Sequence, residues 1–347
     1  MKSVKCFILF NIFVLSLFTT INCMRIFSLS ANGTIIDWDL NIGCRKVLAE
    51  NISSVCLIAI SKDVRKAAYC TFDKEIVIWD LEKNRKLKVL GGHTFLVSSL
   101  SFNESGEKIA SGAGDRVVKL WNIKTGENEV TFKNLGYPVT AVSFSKNGKK
   151  IAACTEGGTI AVLNLEEYKG KTLKVHQGLI HSICLDSDGK KVAFGSYDGK
   201  VRIYDANLLT FLAFLQVHEQ PVFSVSFSPC GEMVASGSCD GTNSLWDYEK
   251  SDDPKVLRGH TDWVNSVAFS NDGKKLISGS GDSSVRIWDL EGDKETRVLK
   301  GHTTAVLSVL FASAKQIDKV KKERFEFLKG KIKILKLFAN TEYQAKK

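Results

Sequence analysis

Short runs of alternating apolar and polar residues fill most of the chain, and turn residues separate these runs. Residues 259–300 show the pattern clearly. Residues 264–269 (Val-Asn-Ser-Val-Ala-Phe) alternate as a strand does, and Asn271, Asp272 and Gly273 follow as a hairpin turn. Three more strand-like runs occupy residues 276–280, 285–288 and 296–299. The pattern predicts a unit of four short antiparallel strands.

This unit recurs along the chain. A Trp-Asp dipeptide or a variant of it returns every 41 or 42 residues. Its first residues are Trp38, Trp79, Trp121, Leu163, Tyr204, Trp246 and Trp288. A period of about 40–45 residues with Gly-His and Trp-Asp signals is typical of four-stranded blades. Because one such sheet cannot bury both faces alone, we expect the seven units to stack around a ring.

The repeats resemble those of the WD40 family over roughly residues 13–313. The resemblance implies an all-β fold, a seven-bladed WD40 β-propeller, with a degenerate eighth blade as an alternative. It also implies that the protein binds other proteins and is not an enzyme. Because fold does not fix function, the partner and the pathway are not implied.

The resemblance further implies one hydrogen-bonded set in each unit: a histidine, a serine or threonine on the second strand, an aspartate in the next turn, and the tryptophan. The histidine is expected 28 residues before the aromatic residue, the serine or threonine 8 residues before it, and the aspartate 6 residues before it. The fuller sets are His218, Ser238, Asp240 and Trp246; His260, Ser280, Asp282 and Trp288; His176, Ser196, Asp198 and Tyr204; His93, Asp115 and Trp121, with Ala113 at the serine position; and Thr71, Asp73 and Trp79, with Asn51 at the histidine position. The remaining units are Leu135, Thr155, Gly157 and Leu163, and Phe10, Ser30, Asn32 and Trp38.

These sets look like hydrolytic triads on paper. However, five of the six histidines fall on the repeat, which indicates structural copies and no catalytic residue. His181 lies outside the repeat phase and is interpreted as an ordinary strand histidine. The nine cysteines are scattered without zinc-binding spacing, so no metal and no cofactor is expected. Thiols within apolar runs indicate a reducing compartment, the cytoplasm or the nucleus.

The net charge of +10 is concentrated at the ends of the chain. Residues 315–347 carry ten Lys and one Arg against four acids, whereas residues 6–314 are nearly neutral. The basic balance therefore does not indicate direct nucleic-acid binding by the repeats, and nothing indicates a small-molecule substrate.

Two ways of closing the ring are open. In the first, which we favour, residues 302–313 supply the first strand of blade one, beside residues 24–30 and 34–39. In the second, residues 14–18 supply that strand, and an eighth blade uses residues 324–328 and 331–338.

The predicted organisation has three parts: a hydrophobic leader at residues 1–23, the propeller at 24–313 and a basic extension at 314–347. The leader has the shape of a signal peptide or an anchor, which would direct the chain to the secretory pathway. Alternatively it contains the first strand of blade one, or translation begins at Met24. The extension is interpreted as solvated, with binding of acidic partners or of a membrane surface as the alternative.

A propeller's binding surface is usually built from loops at one end of the ring. Residues two or three after the histidine position, and the one before the turn aspartate, look out from that end in the family. Here these include Phe72, Phe95, Leu96, Tyr137, Glu156, Tyr197, Asp262 and Trp263. Aromatic residues often carry binding energy, and Trp263 is the one tryptophan outside the repeat phase.

Three functions are weighed. The first is an interaction scaffold or adaptor within a complex of proteins. The second is a substrate receptor of a ubiquitin ligase, whose members often carry Trp-Asp-x-Arg; this chain has no such motif. The third is a secreted or membrane-tethered propeller, which requires a functional leader.

Overall fold

The computed structural model describes residues 25–40, 43–49, 57–63, 65–83, 85–250, 253–292 and 294–311. Within these ranges the chain contains 28 strands and no helix. These ranges therefore contain no helix that would be long and apolar enough to span a membrane. The strands form seven four-stranded antiparallel sheets, so the prediction of an all-β, seven-bladed propeller is confirmed.

In chain order the strands are β1 (Arg25–Ser30), β2 (Ile35–Asp39), β3 (Cys44–Ala49), β4 (Leu57–Ile60), β5 (Lys66–Cys70), β6 (Ile76–Asp80), β7 (Arg85–Leu90), β8 (Val97–Phe102), β9 (Lys108–Ala113), β10 (Val118–Asn122), β11 (Asn128–Phe132), β12 (Val139–Phe144), β13 (Lys150–Thr155), β14 (Thr159–Asn164), β15 (Lys169–Lys174), β16 (Ile180–Leu185), β17 (Lys191–Ser196), β18 (Lys200–Asp205), β19 (Phe211–Gln216), β20 (Val222–Phe227), β21 (Met233–Ser238), β22 (Asn243–Asp247), β23 (Lys255–Leu257), β24 (Val264–Phe269), β25 (Lys275–Ser280), β26 (Ser284–Asp289), β27 (Lys294–Lys300) and β28 (Val306–Phe311).

Blades two to seven each use four consecutive strands, from β4–β7 to β24–β27. The first strand of each blade is innermost and the fourth is the outer edge. Local sequence explains the hairpins: Gly273, for example, has a φ of 72°, and its amide donates to Ser270 O at 2.9 Å. Glycine adopts this left-handed conformation without the steric cost that a side chain brings.

The core of the molecule lies between the blades. Buried apolar residues form clusters at every junction around the ring, from blades one and two to blades seven and one. The innermost strands are also joined by serines: Ser224 Oγ accepts the amide of Val267 at 3.1 Å, and Ser266 Oγ accepts that of Val309 at 3.2 Å. Each blade thus buries its faces against its two neighbours.

Glycines in the second strands set how closely neighbouring blades approach. A Cβ on Gly237 would lie 2.6 Å from Val264 Cγ1, and one on Gly279 would lie 2.6 Å from Val306 Cγ1. Such distances are too short for carbon atoms, so the tight inter-blade contact needs glycine at these positions.

Blade one combines strands from both ends of the described chain, in the order β28-β1-β2-β3. Ile26 pairs with Phe311, and Ser28 pairs with Val309. The favoured closure is therefore confirmed: β28 occupies the place that the alternative assigned to residues 14–18. The leader at residues 1–23, the extension at 314–347 and the strands proposed for an eighth blade lie outside the described residues.

Candidate functional site

The repeated polar set is well defined in blade seven. His260 Nδ1 lies 2.8 Å from Asp282 Oδ2, and its Nε2 lies 2.7 Å from Ser278 Oγ. Trp288 Nε1 donates to the same hydroxyl at 2.9 Å. Since the indole only donates, Ser278 accepts from Trp288 and donates to Nε2, while the Nδ1–H donates to Asp282. Every member is thereby satisfied.

The serine of this set differs from the predicted one. Ser280 Oγ instead donates to Asp262 O at 3.0 Å and accepts the amide of Asp282 at 3.1 Å. Residues 278 and 280 project from the same face of β25, because side chains alternate along a strand. The spacing in the sequence could not show which of the two serines bonds to the tryptophan. The structure shows that it is Ser278, 10 positions before Trp288.

The same correction applies to blades three and six. His93 Nε2 lies 2.7 Å from Ser111 Oγ, so the alanine at position 113 does not leave the set incomplete. His218 Nε2 lies 2.8 Å from Ser236 Oγ, and Ser238 Oγ instead donates to Pro221 O at 3.0 Å. The aspartates are as expected: Asp115 and Asp240 each lie 2.8 Å from the Nδ1 of their histidine. Trp121 Nε1 donates to Ser111 Oγ at 2.7 Å, and Trp246 is buried between blades five and six.

Blade five holds a different arrangement. His176 Nδ1 is 3.9 Å from Asp198 Oδ2, while Ser196 Oγ donates to Asp198 at 2.6 Å. Arg202 donates to both, at 2.8 Å to Ser196 and 2.7 Å to Asp198. Burial acts to raise the pKa of Asp198, but the bonds from Arg202 and Ser196 outweigh it and hold the pKa well below its usual value. Tyr204 packs on Phe194 and Phe211 and replaces the tryptophan.

The degenerate units are filled by packing. In blade two, Thr71 and Asp73 lie at the turn after β5, and Trp79 packs between blades one and two; the asparagine at position 51 lies outside the described residues. In blade four, Thr155 Oγ1 accepts the amide of Thr159 at 3.1 Å. Leu135 and Leu163 are buried together between blades three and four.

Blade one receives its histidine from the other end of the described chain. His302 Nε2 lies 2.7 Å from Ser28 Oγ, which also accepts Trp38 Nε1 at 2.6 Å. Phe10, which stands at the histidine position by the spacing of the repeat, lies outside the described residues. Asn32 stands at the aspartate position and accepts Ser30 Oγ at 2.7 Å.

The triad-like sets are built for structure. Ser111 and Ser278 are fully buried, and each hydroxyl is held between a histidine and a tryptophan. A hydroxyl in this position cannot reach a substrate, whatever its resemblance to a hydrolytic serine. In the described part of the chain, His, Cys, Asp and Glu side chains form no group of three that could hold a metal ion.

The eight predicted contact residues lie together at one end of the ring. In blades three and four a backbone bond joins the loop before the innermost strand to the turn after the second strand: Gly114 N donates to Leu96 O at 3.0 Å, and Glu156 N donates to Pro138 O at 3.0 Å. Equivalent bonds join Tyr197 to Leu179 and Gly281 to Trp263. We call Phe72, Phe95, Leu96, Tyr137, Glu156, Tyr197, Asp262 and Trp263 the end surface. All eight are exposed.

Glycines seat the aromatic rings of this surface. A Cβ on Gly114 would lie 2.3 Å from the Phe95 ring, and one on Gly157 would lie 2.2 Å from the Tyr137 ring. Each ring therefore packs against the turn of its own blade and stays about half exposed. In blade four, Gly157 stands at the aspartate position of the turn, and its lack of a side chain makes room for the Tyr137 ring.

Two residues that sequence reasoning missed extend this surface towards the channel. The His181 ring lies 4.9 Å from that of Phe223, edge to face, and Phe223 lies 5.6 Å from Trp263. His181 also lies 6.4 Å from Tyr197. An aromatic ridge therefore crosses blades five, six and seven, and burial lowers the pKa of His181. Their position as second residues of β16 and β20 was the available signal, because this position faces the innermost strand of the next blade: Asn265 Nδ2, for example, donates to Val306 O at 3.0 Å.

The opposite end of the channel opens into a cavity of about 450 Å³. It is lined by the last residues of the innermost strands, including Phe102, Phe144, Phe227 and Phe269, and by the serines that follow them. Ser145 and Ser270 donate to Asn147 and Asp272, so these hydroxyls already cap turns.

Comparison with known proteins agrees with this geometry. The family model described as WD domain, G-beta repeat matches residues 84–122, 128–164, 168–205, 209–247 and 252–289, which together make up more than half of the chain. A comparison with curated proteins found no match. The first of the matched repeats runs from β7 to β10, that is, from the outer strand of one blade to the third strand of the next. The repeat and the blade are thus offset by one strand. On this match and on its seven four-stranded blades, the chain belongs to the WD40-repeat family.

Proposed function

We propose that this propeller is a non-catalytic interaction scaffold, a subunit of a multiprotein complex that docks a partner protein on the end surface. The observation that carries the proposal is the aromatic ridge. Trp263 and Tyr197 are 52% and 63% exposed, and His181 and Phe223 connect them across three blades. Propellers of this family generally act as interaction platforms.

The exposed aromatic rings of the ridge are suited to binding a partner protein. Large aromatic side chains bury much surface on binding and lose little rotational freedom, so they dominate the energy of many interfaces. Here the rings are held in place by neighbouring rings and by the turn glycines. A partner would therefore meet a preorganised surface, which reduces the entropy lost on association.

Trp263→Ala tests this function. Tyr168, which is 60% exposed and lies in the turn between β14 and β15, provides a matched control for the loss of an exposed aromatic ring. Affinity purification with quantitative mass spectrometry is expected to lose specific proteins from the Trp263→Ala sample and to keep them with Tyr168→Ala. Recovery of the same proteins in equal amounts from both variants would overturn the proposal.

We further propose that the protein works in the cytoplasm or the nucleus. The support comes from its thiols: Cys154 is fully buried and forms no disulfide, and neither do Cys44, Cys184, Cys230 and Cys239. Burial raises the pKa of Cys154 to about 12, which keeps it a protonated core residue. N-terminal sequencing of the mature protein is the test, since cleavage near residue 23 would indicate the secretory pathway.

A further inference from the structure

The outer strands differ in how their open edges are protected. An edge strand offers unpaired backbone groups to other chains, and charged side chains commonly guard it. Six of the seven outer strands contain at least one charged residue: Arg45 in β3, Lys86 in β7, Glu129 in β11, Lys171 in β15, Lys255 in β23 and Arg297 in β27. The sequence of β19, Phe-Leu-Ala-Phe-Leu-Gln, contains none.

This unguarded strand also exposes large apolar side chains. Phe211 and Phe214 are both 53% exposed, and their rings lie 6.3 Å apart. Ala213 and Leu215 face the other way and pack into the core between blades five and six. The two phenylalanines therefore face blade four, and no strand in the described ranges pairs with the outer edge of β19.

Blade four supplies the facing wall. In β15, Leu173 pairs with Ile160 and Lys171 pairs with Val162, and both partners belong to the core between blades four and five. Leu173 and Lys171 hence project towards blade five. Lys171 Nζ donates to Asn207 O at 2.8 Å, just before β19. The two outer strands thus border a groove on the side of the ring.

Lysines line this groove beside the apolar rings. Lys200 Nζ lies 5.5 Å from the centre of the Phe214 ring, and Lys169 is exposed on the same side of β15 as Lys171. We call Lys169, Lys171, Leu173, Lys200, Phe211 and Phe214 the rim groove. It combines an apolar floor, positive walls and an open strand edge.

We propose that the rim groove binds an extended, acidic segment of a partner protein by strand addition to β19. In this mode backbone hydrogen bonds supply affinity, and alternate side chains supply specificity. Apolar side chains of the segment would pack on Phe211 and Phe214, while its carboxylates would face the lysines. This site lies on the side of the ring, so it is separate from the docking on the end surface.

Charge and shape argue against other occupants. The basic segment at residues 315–347 and a second copy of blade four would both place lysines against lysines. A lipid surface could contact the exposed phenylalanine rings but would not form hydrogen bonds with the unpaired backbone groups of a strand edge. An acidic peptide matches the charge, the apolar rings and the open edge together.

The test uses a fluorescein-labelled octapeptide that alternates glutamate with leucine and phenylalanine, titrated with the full chain and followed by anisotropy. Phe214→Ala is expected to weaken binding by about tenfold, since it removes an apolar anchor without changing the charge of the groove. Thr131→Ala is the matched control, because Thr131 of β11 pairs with Lys119 of β10 as Phe214 of β19 pairs with Arg202 of β18. It is expected to leave binding unchanged, as is Trp263→Ala, which distinguishes this site from the end surface.

A second variant tests the charge argument without touching the apolar floor. Lys169→Glu is expected to weaken the glutamate peptide and to strengthen binding of a peptide with lysines in place of the glutamates. Hydrogen exchange is expected to slow at amides of β19, and not at those of β11, when the glutamate peptide is added.

Five results would overturn the proposal. The first four are equal binding of both peptides by the unaltered chain, unchanged affinity with Phe214→Ala, no protection of β19 amides, and dissociation of a dimer of the unaltered chain by Phe214→Ala. The fourth would assign the groove to a second copy. The fifth is binding to phosphatidylserine vesicles that Phe214→Ala abolishes, with no binding of the peptide, which would assign the groove to a membrane.

Discussion

His302 Nε2 lies 2.7 Å from the Oγ of Ser28, although 274 residues separate the two along the chain. Trp38 donates to the same hydroxyl, so the contact belongs to the polar set that other blades assemble from consecutive residues. Blade one is thus completed by a histidine and a strand that follow blade seven. The stability of the ring should depend on this junction.

Substitution in β28 tests that dependence. Val309 is buried in the core between blades seven and one, whereas Leu307 is 42% exposed on the opposite face of the strand. Val309→Lys is expected to cost about 3 kcal/mol or more of unfolding free energy, because it buries an unpaired charge. Leu307→Lys is expected to cost little. Hydrogen exchange is expected to rise first in β1 and β2, and uniform exchange across all blades would contradict a local opening.

The acid sensitivity of the junction follows from His302. Burial, with a smaller effect of Arg45, lowers the pKa of His302 from 6.5 to about 4. The unfolded chain therefore takes up this proton before the folded chain does, so stability is kept above pH 6.5 and lost as the pH falls towards 4. Urea unfolding at several pH values is expected to show a shallower loss in this window for His302→Gln. Equal slopes in the two proteins would contradict the assignment.

The two serines of β25 separate the observed polar set from the predicted one. Ser278→Ala removes the hydrogen-bond partner of His260 Nε2 and of Trp288 Nε1, which is expected to cost about 3 kcal/mol. Ser280→Ala removes the same atom from an equally buried residue, but it loses only turn contacts and is expected to cost about 1 kcal/mol. Equilibrium unfolding in urea measures both. A larger cost for Ser280→Ala would favour the predicted set.

The glycine contacts between blades predict a fourth effect on stability. Gly237→Ala places a methyl group 2.6 Å from Val264 Cγ1 and is expected to cost about 1–3 kcal/mol through overpacking. Gly91→Ala meets no atom within 4 Å and is expected to be nearly neutral. The thermal unfolding midpoints of the two variants make the comparison, and equal midpoints would show that the blades adjust freely.

The sequence predicted the blades well because each is specified locally. The run from Val264 to Phe269 and the turn at Gly273 need no distant contact to be recognised. The serine of the polar set was mispredicted because residues 278 and 280 share a face, and only the position of the Trp288 indole selects one. The set of blade one was predicted with Phe10 at the histidine position, although the favoured closure placed residues 302–313 in that blade. Counting back along the chain from Trp38 cannot reach His302, which lies at the far end of the described chain from Ser28.

The end surface was predictable from the loop positions, but its continuity was not. His181 was interpreted as an ordinary strand residue, and its role depends on Phe223 in the next blade. Likewise, the rim groove is formed by two strands, β15 and β19, that do not pair with each other. Contacts between separate sheets are set by how the blades pack, and periodicity within one blade carries no information about them.

The pairing of β1 with β28 has a consequence for biosynthesis. The ribosome makes β1 before all the other described strands and β28 after them, so blade one lacks its innermost strand while blades two to seven are being made. During that interval Ile26 and Trp38, which are buried in the finished ring, are without the apolar residues of β28. Nascent chains with exposed apolar strands are prone to aggregation. The incomplete first blade is therefore the part of the nascent chain that a chaperone would be expected to hold until synthesis reaches Phe311.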